Sequence, residues 1–274
     1  MSLSLVVLSW KRVENIQRII DEYEGFDLIG EIIIWNNNMR LMIRSSPKTR
    51  VIYSTEDFGM RTRFAAALFA TNNCILLHDD DTLLPLSTIE GLYDAWRKDP
   101  DVMHGLWGCV PKPDNTYSLY LEPPAEADII VGRCMVLDQR YCREFFLVER
   151  DHPAPIDHSA PHGCEDILMS YLVMRSSGRR NRCHALDYVD LPNDNAICER
   201  PLHYEHRTEF MQRCQDWLSE SGVQGRGRGV VDSYSSMTVA ELKVLLQEGN
   251  LPVSGNKPNL IARLEEANQG NTHP

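Results

Sequence analysis

Three adjacent carboxylates, Asp79, Asp80 and Asp81, follow the apolar run Ile75-Leu76-Leu77 and one histidine, His78. Like charges set side by side repel, and each is expensive to take out of water. The position therefore demands positive partners. Oxygen donors one residue apart suit a hard divalent cation, and one or two carboxylates suffice when a diphosphate supplies further ligands. An acidic surface turn has the same composition, but the preceding strand-like run and the following Thr82 and Pro85 favour the first reading. A second acidic pair, Glu165-Asp166, opens the stretch EDILMSYLVM. There it can favour a helix N-terminus through the dipole or contribute a carboxylate to a reaction.

The histidines and cysteines invite a zinc reading at His158, His162 and Cys164, at Cys183 and His184, and at His203 and His206. None has CxxC or HExxH spacing, so packing and loop roles are favoured, with His206 kept as a candidate metal ligand. Trp35 precedes Asn36, Asn37 and Asn38; it can stack on a base or end a buried strand, and Asn37 and Asn38 can shape the turn. Arg61 and Arg63 form either a solvated helix face or part of a site.

The elements that must position these groups alternate. SLSLVVL, EIIIW, RVIYS and CILLHD read as strands; residues 13–23, MRTRFAAALFA and STIEGLYDAWRK read as helices, the last with a capping box of Ser87 and Glu90. This is the opening of an α/β sheet of mostly parallel strands. In such sheets ligands collect at the carboxyl ends of strands, where SWKR, NNN and DDDT lie. Further strands are expected at VMHGLWGCV, TYSLYL and DIIVGRCMVL. Helices are expected at DQRYCREFFLV, at EDILMSYLVMRS and from about Thr208 to Ser219.

At 274 residues and 43% hydrophobic content the chain can bury one sizeable core plus an appendage. Eight scattered cysteines without a paired framework read as free thiols in a reducing compartment. The N-terminal apolar run reads as a first strand and not as a signal peptide, and no segment approaches the roughly 20 apolar residues of a membrane helix. A cytosolic or nuclear location with no membrane partner is expected. Residues 221–274 hold five basic and five acidic side chains, so the whole excess of −11 lies in residues 1–220. That part is unsuited to nonspecific nucleic-acid wrapping.

ILLHDDDTLL resembles the Asp-x-Asp motif of exostosin-like glycosyltransferases, glycosyltransferase family 64. LSWKR, IIIWNNN, GMRTRFAAAL, DIIVGRCMVLDQRYCREFF, CEDILMSYLV and EHRTEF resemble further motifs of that family, in order, across most of residues 3–215. The resemblance implies a GT-A fold, a mixed and mostly parallel sheet flanked by helices that binds a nucleotide-sugar. It implies a retaining transfer of N-acetylhexosamine or hexuronic acid from a UDP-sugar, with Mn²⁺ or Mg²⁺, to a glycan or glycoprotein hydroxyl. Carried over by position, Asp79 faces the ribose, Asp81 with Asp79 holds the metal, and Asp80 helps the local fold or the sugar hydroxyls. Arg12, Asn36 and Arg63 line the nucleotide, Arg207 meets the diphosphate, and Asp166 with Glu165 sits near the anomeric carbon. An oxocarbenium-like transition state needs such a carboxylate.

Residues 1–220 are thus expected to form the GT-A domain and residues 221–235, rich in Gly and Ser, a flexible linker. Residues 236–270 are expected to form a helical module. There MTVAELKVLLQEGNLPVSGNKPNLIARL resembles a SAP motif, with a capping box at Thr238 and Glu241, a helix end at Gly249 and Pro258 opening a second helix. The resemblance implies weak duplex-DNA binding, with Lys243, Lys257, Arg263, Arg226 and Arg228 as the available phosphate contacts; protein docking is the alternative. Two wider alternatives stay open. One is a non-catalytic nucleotide-sugar-binding protein docked on DNA by the tail, the other a transferase acting on a modified nucleic-acid base.

Overall fold

The computed structural model describes residues 2–117, 119–151, 163–193, 201–220 and 251–270, together with Val239, Leu242, Lys243 and Leu246. The chain divides into two compact units, residues 1–225 and 226–274.

The first unit opens with β1 (Leu3–Ser9), α1 (Val13–Tyr23), β2 (Ile29–Asn36), β3 (Thr49–Tyr53), α2 (Thr62–Ala67) and β4 (Cys74–His78). Four parallel strands lie in the order β3-β2-β1-β4. β1, β2 and β4 register as apolar runs largely buried on both faces, as parallel strands are, and β3 is the partly exposed edge. Alternation then splits the side chains. Val6, Ile33, Ile75 and Leu77 face one core, while Leu5, Val7, Ile32, Ile34 and Leu76 face the other.

After β4 come β5 (Thr82–Leu83), α3 (Leu86–Lys98), β6 (His104–Gly105), β7 (Gly108–Val110), β8 (Leu119–Tyr120), β9 (Ala125–Ala127), β10 (Ile129–Ile130) and β11 (Cys134–Asp138). β11 runs antiparallel to β4 and extends the sheet through β6, β12 (Asn181–Cys183) and β9. α4 (Gln139–Asp151), α5 (Glu165–Ser177) and α6 (His203–Glu220) supply residues to the core that also holds Phe64 of α2. α1 and α3 supply Ile16, Ile19, Ile20, Tyr23, Ile89 and Leu92 to the opposite core. β10-β7-β8 form a small antiparallel sheet, and β13 (Val189–Asp190) pairs with β5.

Four expectations are corrected. α3 starts at Leu86 behind Pro85, whose φ of −56° and ψ of 152° open the helix one residue early, and no side-chain cap bond forms. Ser87 therefore lies inside the helix and makes no capping box. VMHGLWGCV is not one strand: it breaks into β6 and β7, which belong to different sheets. The break needs close approach, since a Cβ on Gly105 would stand 2.3 Å from Ile130 Cγ2 and one on Gly108 2.7 Å from Ala127 Cβ. DIIVGRCMVL likewise turns at Val131–Arg133 to give β10 and β11. α6 begins at His203, so His206 and Arg207 lie on its first turns and not before it.

Cys74, Cys109, Cys134, Cys142, Cys164, Cys183 and Cys214 are free and buried. Burial raises all seven thiols and keeps them protonated. No described helix is long and apolar enough to cross a membrane.

In the second unit Leu242, Leu246 and Leu260 are buried together, with Leu251, Val253 and Ile261 packed against them. α7 (Lys257–Gly270) carries Leu260. Arg263, expected to be a phosphate contact, instead donates to the carbonyls of Pro252 and Ser254 and so ties the preceding loop to the helix. The linker and the capping box of Thr238 and Glu241 fall outside the described residues.

Candidate active site

The acidic triplet leaves the end of β4, beside the ends of β1 and β2 in the parallel sheet. Its positive partners come from the chain itself. Arg63, on the short α2, donates to Asp79 at 2.7 Å and also binds the Gly132 carbonyl. Arg12, just after β1, bonds Asp80 and lies 3.7 Å from Asp81. Arg133, in the turn between β10 and β11, lies 3.6 Å from Asp81 on the other side. Asn193 donates to Asp81 at 2.7 Å and Thr82 at 3.2 Å.

Even so, negative charge is in surplus. Burial, reinforced by neighbouring carboxylates, raises Asp79, and it raises Asp80 to about 6 despite Arg12. Burial lowers the neighbouring His78 to about 4, so at neutral pH its imidazole is uncharged and adds no compensation.

The second cluster is built on α5. Asp166 and Glu165 are its first residues and are buried. Arg207 donates to both Asp166 oxygens, at 3.0 and 2.8 Å, to Tyr117 Oη at 2.8 Å and to the Gly163 carbonyl at 2.6 Å. The Gly132 N–H donates to Asp166 at 3.0 Å. Arg207 and these donors hold Asp166 below the usual carboxylate range against its burial. Glu165 goes the other way: burial raises it, with Asp166 adding to the effect and Arg63, 3.6 Å away, opposing it. Two adjacent carboxylates thus carry different protonation tendencies, a pattern common where acid–base chemistry is done.

One turn joins the clusters. Gly132 N–H reaches Asp166 and its carbonyl takes Arg63. The Arg133 carbonyl accepts from Asp79 N at 3.0 Å, and its side chain reaches Thr82 at 3.0 Å. Asp79, Asp80, Asp81, Arg12, Arg63, Glu165, Asp166 and Arg207 are therefore linked through ion pairs and this backbone. The Gly-Arg step, set between two apolar runs in DIIVGRCMVL, was the available signal for the turn, and sequence reasoning did not single out Arg133.

Three expected residues have other tasks. Asn36 is buried, its amide donating to the Leu41 carbonyl at 2.8 Å and accepting from Asn38 N at 3.0 Å. It shapes the loop after β2 and does not present its side chain to a nucleotide. Arg207, 6% exposed, is engaged by Asp166 and not turned to an open diphosphate position. His206 shares no metal-holding group with the triplet: among the described residues no three His, Cys, Asp or Glu side chains are so grouped. Of the other histidines considered for zinc, His184 pairs with His104 at 3.0 Å, and His158 and His162 lie outside the described residues.

The donor chemistry of Asp79 and Asp81 is oxygen only and, with the carboxylate surplus, fits one hard divalent cation that draws its remaining ligands from a bound anion. Both carboxylates would hold it, with Arg63, Arg12 and Arg133 beside them.

The Glycosyl transferase family 64 domain matches residues 3–227, and a SAP domain matches residues 233–269. Exostosin-like 2 of Mus musculus is 22% identical over 287 residues, covering 94% of this chain and 80% of its own length. Glucosamine inositolphosphorylceramide transferase 1 of Arabidopsis thaliana is 22% identical over 221 residues, 75% of this chain and 28% of that protein. Exostosin-1c of Danio rerio is 29% identical over 211 residues, 68% of this chain and 27% of that protein. The chain spans little more than a quarter of the length of these last two relatives. A crystal structure of GalNAc-T7 with UDP, GalNAc and Mn²⁺ superposes with a TM-score of 0.56 at 11% identity, covering 97% of this chain and 55% of that one. That likeness establishes the GT-A type of fold.

Proposed function

The chain belongs to glycosyl transferase family 64, and on that premise we propose that it transfers a sugar from a UDP-sugar to a hydroxyl of a glycan or glycoprotein, with retention and with Mn²⁺ or Mg²⁺. N-acetylhexosamine or a hexuronic acid is the sugar this reading favours. The observation that carries it is the joining of the acidic edge at Asp79–Asp81 to the Asp166–Arg207 pair through Arg63 and the Gly132 turn.

A divalent cation bound by Asp81 and Asp79 would neutralise charge on the departing diphosphate. Arg12 and Arg63 bring fixed positive charge to the same edge, and Arg12, 24% exposed at its side chain, is free to turn toward a phosphate. Asp166, kept ionised by Arg207, stabilises the positive charge that develops on the sugar ring. Arg207 acts through Asp166 as a positioning residue, and Tyr117 and the Gly163 carbonyl hold it in place. Asp80, paired with Arg12, orients that arginine.

A second reading concerns the acceptor. The SAP match at residues 233–269 favours a nucleic-acid base carrying a hydroxyl as the alternative acceptor. The test is incubation with Mn²⁺ and a panel of nucleotide-sugars while UDP release is followed. Slow release from one UDP-sugar, quickened by either a glycan or a hydroxymethylated DNA acceptor, identifies donor and acceptor class. No release from any donor, together with no Mn²⁺-assisted UDP binding in calorimetry, overturns the assignment.

A further inference from the structure

Arg133 is held more firmly than a surface ion pair requires. Its Nε donates to Thr82 at 3.0 Å, its Nη2 bonds Asp190 of β13, and its guanidinium lies 4.5 Å from the Trp107 ring centre and 5.3 Å from that of Tyr188. The two rings meet edge to face at 4.6 Å. Thr82 in turn donates to Asp81 Oδ1, the oxygen 3.6 Å from Arg133. Planar, weakly hydrated guanidinium suits such an aromatic clamp.

Arg12, on the other flank of Asp81, is different. It is bonded to Asp80 and Asn193 and can exchange these for an incoming anion. Arg133 cannot leave without losing Asp190, Thr82 and both rings. Its charge therefore stays beside Asp81 whether or not a ligand is present.

We propose that Arg133 is a resident counter-ion of Asp81 that competes with the divalent cation for this carboxylate. The chain thereby keeps its acidic edge folded without metal and takes metal weakly until a nucleoside diphosphate supplies further ligands. This rests on the metal-dependent reading of the preceding section. A unit charge a few ångströms away in a partly solvated site alters cation binding by about tenfold or more.

The test is Mn²⁺ binding alone, followed by the paramagnetic resonance signal of free Mn²⁺, and then UDP binding by calorimetry with Mn²⁺ present. Arg133→Met keeps the length and the packing between Trp107 and Tyr188 but removes the charge, and should bind Mn²⁺ about tenfold more tightly than the parent. Asp190→Asn keeps the arginine charge beside Asp81 and weakens one of its anchors, so its Mn²⁺ affinity should not rise above the parent's while its melting temperature falls. Arg133→Gln, which retains a donor for Thr82, replaces the Met variant if that one does not fold, with the same expected gain. Unchanged or weaker Mn²⁺ binding in the folded charge-removing variant overturns the proposal. UDP that still binds with Mn²⁺ in that case leaves the glycosyltransferase reading standing. UDP that binds neither parent nor variant defeats both.

Discussion

Gly132 is where a single methyl group should do the most damage. Its N–H serves Asp166 and its carbonyl serves Arg63. A Cβ there would stand 2.9 Å from Arg63 Nη1, 3.4 Å from Asp166 Cβ and 3.4 Å from Glu165 Oε1. The tip of an arginine usually moves aside cheaply. Arg63 is 2% exposed and bound to Asp79 at 2.7 Å, so it can yield only by leaving that carboxylate or by shifting the turn. Overpacking a tight interior costs about 1–3 kcal/mol, and weakening a charged buried hydrogen bond adds about 1.5–3 kcal/mol. Gly132→Ala should therefore lose about 2.5–6 kcal/mol in urea unfolding and weaken UDP binding in calorimetry, because Asp79 loses its hold on Arg63. Gly25→Ala is the control: nothing lies within 4 Å of its Cβ, so it should stay within about 0.5 kcal/mol of the parent. A Gly132→Ala protein as stable as the Gly25→Ala one, with parental UDP binding, would refute the turn as the junction of the site.

Asp166→Asn keeps the shape of the side chain but leaves Arg207 without its charge partner, so a loss of about 3 kcal/mol in stability is expected. UDP affinity should remain within a few-fold while transfer falls by about a thousandfold or more; turnover near the parent rate removes Asp166 from the mechanism. Stability should also fall on acidification. Burial lowers His78 to about 4, and burial together with His104 lowers His184 to about 4. The unfolded chain protonates both near 6.5, so each stabilising contribution is lost as pH falls from 6.5 through 4, about 2 kcal/mol by pH 5 for buried His78 and less for His184, which solvent partly screens. Asp80, raised to about 6, and Asp79 and Glu165, also raised by burial, act in the opposite sense over the same range and offset part of that loss. His184→Gln should then shift the change in urea midpoint between pH 7 and pH 5 toward greater relative stability at pH 5 than in the parent, and an unaltered change would show that His184 does not carry the effect. For the second unit, the full chain should bind duplex DNA weakly at low ionic strength. Lys243→Glu with Lys257→Glu should reduce that binding several-fold and lower its salt slope by about two in fluorescence anisotropy; no change would leave the module without a phosphate-binding role.

The parallel half of the sheet was legible because its strands are buried on both faces and so appear as unbroken apolar runs, Leu3 to Leu8, Ile32 to Ile34 and Ile75 to Leu77. The polar clusters after them marked the ligand edge for the same reason: only a strand end can present such groups without burying them unpaired. The antiparallel half was less legible. Gly105 and Gly108 look like interior residues of one strand, and only contacts with Ile130 and Ala127, distant in sequence, show that the chain changes sheets between them. Side-chain roles followed the same division. Asp79 and Arg63 meet because α2 packs on β1 and β2 beside the end of β4, whereas the Asn36 bond to the Leu41 carbonyl depends on how the loop folds back and could not be read from spacing. Arg133 carried no motif of its own; its meaning comes from Trp107, Tyr188 and Asp190, brought in from two other segments.

The charge balance explains why metal and nucleotide should bind as a linked pair in the proposed activity. Asp79, Asp80, Asp81, Glu165 and Asp166 are held by four arginines, Arg12, Arg63, Arg133 and Arg207. Arg12 and Arg63 are paired with Asp80 and Asp79 of the triplet. They can turn toward a diphosphate only by exposing those carboxylates to one another, a repulsion that adds to the burial already raising Asp79 and Asp80. A cation arriving at Asp79 and Asp81 removes that repulsion and frees the arginines; a diphosphate, in turn, supplies the oxygen ligands that Arg12 and Arg133 otherwise keep the cation from completing. By linkage each must favour the other by the same factor. Arg133 enters this coupling as a fixed charge beside Asp81 and Arg207 stays with Asp166, so the arginines that change partners are those on the β1 and α2 side of the site.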